Sequence, residues 1–381
     1  MLPEFTDEQK MLREMMASFA KNEVAPLAYE IDRDERFPEE AFRRMAELQV
    51  LGITAPAEHG GAGAGYTEMC IVTEELAVHC GSTAATYADH ADLCIDNIRR
   101  NGRPNQLSKY LPALCGGNLI GGLAMTEPSA GSDVMSMRLR AEEKAGEYVL
   151  NGTKTFITNG PVGDVFIVYA KTAPEKKAHG VTAFIIEKDF PGFERGKKFE
   201  KMGWRGSPTG ELVFQDCRVP AGNVLGELNG GAHVLMSGLN TERIVLGAMS
   251  LGLSRGAYEC ALRYAKERVQ FGKPIAAFQL IQAKLADMAM EIELSRLITY
   301  EGAYMADRGS HRDLNLLAAY AKLYTSEVAM RVTTEAVQIL GGYGYMKEFP
   351  VERMMRDAKL QTIGGGTSEI QRLIIAREIL K

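Results

Sequence analysis

The chain has 381 residues, a formal net charge of -5 and a hydrophobic fraction of 46%. That is enough core for two or three soluble domains, and no basic surface excess marks a nucleic-acid or anionic-membrane partner. No apolar run approaches the ~20 residues a membrane helix needs, and Met1 to Lys21 reads as an amphipathic helix, so neither a leader nor a membrane span is expected and the compartment is read as the cytoplasm.

Residues 1 to about 118 carry helical periodicity. Thr6 with Gln9 forms a capping box, and Leu12, Met15, Met16 and Phe19 mark the apolar face behind it. Pro38 suits a first helical residue, with Phe42, Met45 and Leu48 following and Gly52 as the stop. His59 to Gly65 is a glycine-rich loop, and Thr67 to Cys80 returns to helix. From Leu119 to Phe214 short β-type runs dominate: Tyr148–Leu150, Thr155–Ile157, Val165–Tyr169 and Thr182–Ile186. Asn151-Gly152 between two of them predicts a hairpin turn, and the whole predicts a small antiparallel barrel or sandwich. Helical spacing resumes over Thr241–Arg268, Phe278–Asp307, Asp313–Leu340 and Ser368–Leu380. The predicted domains are 1–118 (helical), 119–225 (β) and 226–381 (helical).

The six cysteines form no CxxC pair and the histidines have no ligand spacing, so buried free thiols and no metal are expected. The 39 glycines are unusual for a largely helical chain. They gather in segments suited to close backbone approach. Ala124 to Asp133 is rich in small and hydroxyl residues, which fits either a plain turn or a loop whose backbone donors meet a flat or anionic ligand. Arg268 to Pro274 follows a helix, so Arg268 can serve helix-end carbonyls or a phosphate. Gln338 to Tyr345 holds more glycines than a helix C-cap requires. Gly364-Gly365-Gly366-Thr367-Ser368-Glu369 feeds a helix N-terminus, an anion-binding arrangement, yet it is neither a Walker A nor a GxGxxG motif.

In order along nearly the whole chain, these segments together with Asn151–Gly160 and Lys201–Phe214 resemble the acyl-CoA dehydrogenase family. The resemblance implies a mainly helical fold with a middle β-domain: an N-terminal helical domain, an antiparallel β-barrel and a C-terminal four-helix bundle. It implies non-covalent FAD, a homotetramer in which a neighbouring subunit completes each FAD site, and electron-transfer flavoprotein as acceptor, in the degradation of fatty, branched or cyclic acids. Residue by residue, Met125, Thr126 and Ser132 match flavin and substrate contacts, and Phe156 and Thr158 flank the flavin ring. Arg268, Gln270 and Phe271 match contacts to the FAD pyrophosphate and adenine side, Gln338 and Gly342 match contacts across the dimer, and Thr367 and Glu369 lie where the last helix meets the cofactor.

The implied reaction removes an α-proton and a β-hydride from an acyl-CoA thioester. An α-hydrogen of a thioester is too weakly acidic for an unaided carboxylate, so the thioester carbonyl must be hydrogen-bonded and a carboxylate placed opposite the flavin. The backbone donor to that carbonyl would be Gly365. In many members the side chain at that position is the glutamate base, which the triple glycine here cannot supply. A smaller group, including isovaleryl-CoA and long-chain acyl-CoA dehydrogenases, takes the base from a C-terminal helix, and the matching residue in Gly238–Arg243 is Glu242. By position alone Glu242 also reads as an ordinary glutamate at a helix N-terminus. Arg243 matches a residue that contacts CoA or supports the base, and Asn240 is expected to bond the pantetheine arm.

Tyr87 to Cys94 falls in the region resembling the acyl-pocket lining, where Asp89 and Asp92 are unexpected. One reading has them solvated or paired. The other has one of them reach the far end of a short or cyclic acyl group, binding a polar substituent or acting as a second acid/base on a remote carbon. Alternatives to a dehydrogenase of short, branched or alicyclic acyl-CoA are an acyl-CoA oxidase, a dehydrogenase of a cyclohexane- or cyclohexene-carboxyl type thioester, a relative catalysing non-redox elimination, and an inactive flavin- or CoA-binding homologue.

Overall fold

The computed structural model describes residues 4–309 and 314–381. The expected start of one helix at Asp313, like Met1 of the N-terminal segment, lies outside the described residues.

The chain opens with helix Asp7–Phe19, whose capping box is formed: Gln9 N–H donates to Thr6 Oγ1 at 3.2 Å and Thr6 N–H to Gln9 Oε1 at 3.0 Å. Met16 and Phe19 are buried, whereas Met15, expected on the same face, is exposed. Helix Tyr66–His79 is buried along almost its full length because it lies against the 37-residue helix Gly231–Glu267. Two glycines of the long helix permit that approach: a Cβ on Gly252 would stand 2.3 Å from Glu74 O, and one on Gly256 2.1 Å from Val78 O. One apolar core therefore runs through both helical segments, with Met69, Ile71 and Leu76 packed among Ile244, Met249 and Leu253. The Glu74 and Glu75 carboxylates in this contact are neutralised by Arg13 and Arg255, which bring helices distant in sequence to one charge cluster.

Between the helical segments stands an eight-stranded sheet in the order Phe193–Lys198, Thr209–Pro220, Glu147–Thr158, Arg140–Lys144, Val165–Lys171, Val181–Glu187, Val224–Leu225, with Gly121–Ala124 also on Val165–Lys171. It is mainly antiparallel, but Val165–Lys171 pairs in parallel with both Gly121–Ala124 and Arg140–Lys144. The strand Val165–Lys171 is buried on both faces: Val165, Ile167 and Tyr169 pack with Leu111 and Leu114, while Phe166, Val168 and Ala170 pack with Leu150 and Phe214.

The Asn151-Gly152 hairpin turn is not formed. Tyr148–Leu150 and Thr155–Ile157 belong to one continuous strand, and the turn preceding it is Ala145-Gly146, with φ of 54° and 83°. Asn151-Gly152 instead sits at a register shift against Thr209–Pro220. The Asn151 amide donates to Asp216 Oδ1 at 3.1 Å and its Oδ1 accepts from Asp216 N–H at 2.9 Å, so turn-type residues are used to pin a bulge.

His90 links three elements. Its Nδ1 accepts from Gly121 N–H at 2.9 Å, which leaves the proton on Nε2 to donate to Leu114 O at 3.1 Å. Burial pulls its pKa from 6.5 down to about 4. The unfolded chain binds the proton more readily, so the stability this residue contributes is complete above about pH 6.5 and is lost as pH falls toward 4. Apparent unfolding stability measured from pH 7 to 4.5 should fall by up to about 3 kcal/mol on this account, and the decline should be shallower in His90→Gln, which cannot titrate.

Candidate active site

Glu242 lies eleven residues into the Gly231–Glu267 helix, so its placement owes nothing to the helix N-terminus, whose field fades within the first turn. The reading of Glu242 as an N-terminal glutamate is thereby corrected. Its carboxylate meets the Gly364–Gly366 loop: a Cβ built on Gly365 would lie 3.5 Å from Glu242 Oε1 and only 2.2 Å from Leu246 Cδ1. Gly365 has φ of +62°, a backbone state that L side chains rarely adopt. No residue other than glycine fits here without displacing Leu246, one turn beyond Glu242. Among the described residues Gly365 N–H donates to no protein acceptor, so a backbone donor stands free on the loop that the carboxylate meets.

Burial raises the Glu242 pKa, and Arg243 and Lys322 oppose that rise. Arg243 points into the helix interface, where its Nη1 donates to Asn240 Oδ1 at 3.1 Å and Asn315 Oδ1 at 3.0 Å. The residue that sequence reasoning missed is Lys322. It is buried on helix Leu314–Leu340 and donates to Gly366 O at 2.6 Å. A lysine among Ala318, Ala319, Ala321 and Thr325 on a buried helix face was the available signal. Gln371, also missed, donates to Gly365 O at 3.2 Å and Gly366 O at 3.1 Å.

The opposite wall is built by the sheet and the segment Asp89–Asp96. Asp89 and Asp92 are both buried, and neither forms an ion pair among the described residues. The solvated-or-paired expectation is therefore overturned. The nearby Arg99 and Arg100 are both taken by Asp96, each at 2.7 Å. Asp89 Oδ2 has no hydrogen-bond partner, and a Cβ on Gly122 would stand 3.1 Å from both this oxygen and Thr158 O. Burial, then the Glu242 and Asp92 charges, push the Asp89 pKa well above the carboxylate range. For Asp92 burial comes first, then Asp96 and Glu242.

The expected flavin residues lie along this wall. Thr155 N–H donates to Thr126 O at 2.9 Å, and buried Lys154 donates to Met125 O at 3.0 Å and pairs with Glu127, which together fix the 125–127 loop on the strand end. Met125, Thr126 and Thr158 are half-buried, Ser132 is exposed, and the Thr126 and Thr158 hydroxyls engage no protein partner among the described residues. Phe156 sits at a second register shift with φ of +58°, and its ring is 67% exposed, 5.4 Å from the Phe199 ring. A phenylalanine held in a strained backbone state and presented outward is a surface waiting for a flat partner. Thr367 caps the last helix through Ile370 N–H at 3.3 Å, while Glu369 is exposed.

Arg268, Gln270, Phe271, Gln338 and Gly342 are not part of this cluster. Arg268 lies 26 residues beyond Glu242, about 39 Å along the helix rise. Arg268 stacks 5.5 Å from the Tyr343 ring centroid, and Phe271, at the tip of a small hairpin, is 93% exposed. Gln338 and Gly342 are exposed beside them.

Three family models account for most of the chain: acyl-CoA dehydrogenase N-terminal domain over 6–118, middle domain over 122–217 and C-terminal domain over 229–380. The chain belongs to the acyl-CoA dehydrogenase family, and it is thus an FAD-dependent oxidoreductase. It is similar to a mitochondrial 2-methylacyl-CoA dehydrogenase of Solanum tuberosum, 47% identical over 98% of this chain and 91% of that one. It is equally similar to a mitochondrial isovaleryl-CoA dehydrogenase of Pongo abelii, 47% identical over 98% of this chain and 88% of the relative. Among solved structures, a chain from work on the electron transferring flavoprotein of Acidaminococcus fermentans superposes with a TM-score of 0.98, at 40% identity and full coverage of both chains.

The residues present fit FAD. A strained outward phenylalanine supplies a ring face, and two unengaged threonine hydroxyls supply polar edge contacts. Gly365→Ala should retain FAD but lower kcat/KM for thioester oxidation at least about tenfold, because a Cβ strains the loop by ~1–3 kcal/mol and collides with Leu246. Steady-state kinetics together with flavin content per chain check this.

Proposed function

We propose that the protein oxidises a short, branched or alicyclic acyl-CoA thioester to the α,β-enoyl-CoA, with Glu242 as the base. The observation that carries this reading is the Glu242 carboxylate lying against Gly365, a residue whose N–H donates to no protein acceptor among the described residues. A thioester carbonyl accepting from Gly365 N–H sets its α-carbon against Glu242. The carboxylate takes the α-proton, the electron pair of that C–H bond forms the C=C bond, and the β-hydrogen departs with its bonding pair. FAD, when bound, supplies the two-electron acceptor for that hydride. Phe156 and Thr158 would hold one side of the ring, with Met125, Thr126 and Ser132 on the adjoining loop. Partial removal of water from half-buried Glu242 raises its pKa and strengthens its interaction with the substrate once charged.

The remaining cofactor contacts are assigned to a neighbouring subunit. The separation of about 39 Å between Glu242 and Arg268 is too great for both to serve the two ends of one FAD. An exposed Phe271 with Arg268, Gln270, Gln338 and Gly342 around it suits a dinucleotide held mainly by another copy. A homotetramer is the assembly we assign, with electron-transfer flavoprotein as the acceptor. Six buried free cysteines suit a reducing compartment such as the cytoplasm, and no described helix is long and apolar enough to cross a membrane. Asn240 and Arg243 are assigned to support of the CoA arm and of the base.

Glu242→Gln should bind FAD normally yet fail to bleach the flavin when acyl-CoA is added without oxygen. Bleaching at the unaltered rate would remove Glu242 from the mechanism. Hydrogen peroxide formed at the rate of turnover in air would instead favour an oxidase.

A second reading concerns the substrate. Burial disfavours the charged form of Asp89, its Oδ2 has no hydrogen-bond partner, and that oxygen lies 3.1 Å from a Cβ built on Gly122 of the sheet. A buried polar atom left without a partner costs about 1–3 kcal/mol. Its use as a donor to a polar acyl terminus, or as a second acid/base on a remote carbon of a cyclic acyl group, would offset that cost. Flavin bleaching by straight, branched and cyclic acyl-CoAs should show Asp89→Asn losing at least tenfold on its best substrate, about 1.4 kcal/mol, with a smaller effect for Asp92→Asn. Unchanged rates across the panel would leave both aspartates without a substrate role.

A further inference from the structure

We infer that Lys322 is a positioning residue that fixes the Gly364–Gly366 loop to helix Leu314–Leu340 while holding a positive charge against Glu242. The inference rests on the assignment of Glu242 as base. Two helices meet at one loop here: Lys322, from helix Leu314–Leu340, donates to Gly366 O at 2.6 Å, and the Glu242 carboxylate, from helix Gly231–Glu267, lies against the neighbouring Gly365. Gln371 holds the same two carbonyls from the last helix. Gly366 O is thus held from two sides and Gly365 O from one, in a loop whose Gly365 N–H donates to no protein acceptor among the described residues.

The lysine is buried at 1% exposure, which an aliphatic residue would match without desolvating a charge. A neutral donor could hold Gly366 O equally well. The charge therefore has a use beyond the hydrogen bond, and the group it faces is Glu242. Burial pulls Lys322 down to about 8, and the Glu242 charge opposes that fall. The other charges around the pair are Arg243 on the Glu242 helix, Glu327 on the Lys322 helix, Glu369 on the last helix, and Asp89 and Asp92 across the site. Arg243 and Lys322 are the cations that oppose the rise at Glu242, Arg99 and Arg100 act on Asp92, and of these Lys322 is the one that hydrogen-bonds the loop carrying the oxyanion donor. The proton acceptor and the carbonyl donor are thus adjusted by one side chain.

Two variants of the FAD-loaded enzyme separate the parts of this role. Lys322→Gln keeps a donor for Gly366 O and removes the charge, whereas Lys322→Met removes both. The readouts are flavin content, the pH dependence of anaerobic flavin bleaching by acyl-CoA, and the affinity for acetoacetyl-CoA, which tests carbonyl binding without turnover. Loss of the cation raises the base pKa, so the acid limb should move to higher pH by roughly one unit in Lys322→Gln. Wild type and variant should draw together above about pH 8, where Lys322 loses its own charge. Acetoacetyl-CoA should bind Lys322→Gln nearly as well as wild type and Lys322→Met several-fold more weakly. An acid limb in Lys322→Gln that coincides with wild type overturns the proposal. So does loss of bleaching at every pH with flavin still bound, which would make Lys322 a participant in the reaction. If Lys322→Met does not fold, Lys322→Gln decides alone. Bleaching that survives in Glu242→Gln marks failure of the base assignment, a different result from an unmoved limb in an enzyme that still needs Glu242.

Discussion

The rest of the site depends on the contact between a carboxylate and a glycine loop that has no room for a side chain. Glu242 reaches the loop from one turn before Leu246, and Leu246 fills the space a Cβ on Gly365 would need. The positive φ at Gly365 turns its carbonyl toward Gln371 and leaves its N–H free. A backbone donor and a partly desolvated carboxylate are the two groups that α-proton removal from a thioester requires, and neither is useful without the other at a fixed separation. The long Gly231–Glu267 helix fixes that separation because its glycines seat it directly on Tyr66–His79 and make it part of the common core.

The sheet contributes the complementary wall, and it does so through its irregularities. Regular pairing would alternate Phe156 into or out of the sheet with its neighbours. The register shift and positive φ at Phe156 re-aim the ring outward. The loop 125–127 is drawn onto the same strand end by Lys154 and Glu127, a buried pair whose oxygens also accept from Arg138 and Leu139 N–H. Backbone strain at Phe156 and the buried Lys154–Glu127 pair, both costly in a structural sheet, thus fall on the same strand.

Buried acidity is a further property of this site. Asp96 shares the helical segment of Asp89 and Asp92, yet takes both arginines and stays ionised with a lowered pKa. Asp89 and Asp92 form no ion pair among the described residues, Asp92 feels Arg99 and Arg100 only from beyond their contacts with Asp96, and the Glu242 charge raises the pKa of both. Through that charge, the protonation of one carboxyl group depends on the others. The cations Arg243 and Lys322 limit that mutual repulsion at Glu242.

The order of helical, β and helical segments was legible in the sequence because periodicity switches from 3.6 to 2 and back, and a period survives without knowledge of neighbours. The capping box at Thr6 was legible for the same local reason. The triple glycine could be read as excluding a base at Gly365, since side-chain chemistry needs no coordinates. Asn151-Gly152 misled because local turn preference was overridden by the pairing of Asn151 with Asp216, 65 positions away. The burial of Asp89 and Asp92 and the meeting of Lys322 with Gly366 also rest on contacts between distant segments. The sequence by itself determined the element pattern, the family and the candidate base. Only the tertiary structure decided which charges are neutralised, which donors are left free and which glycines are forced, because each of those is a property of space shared by residues far apart in the chain.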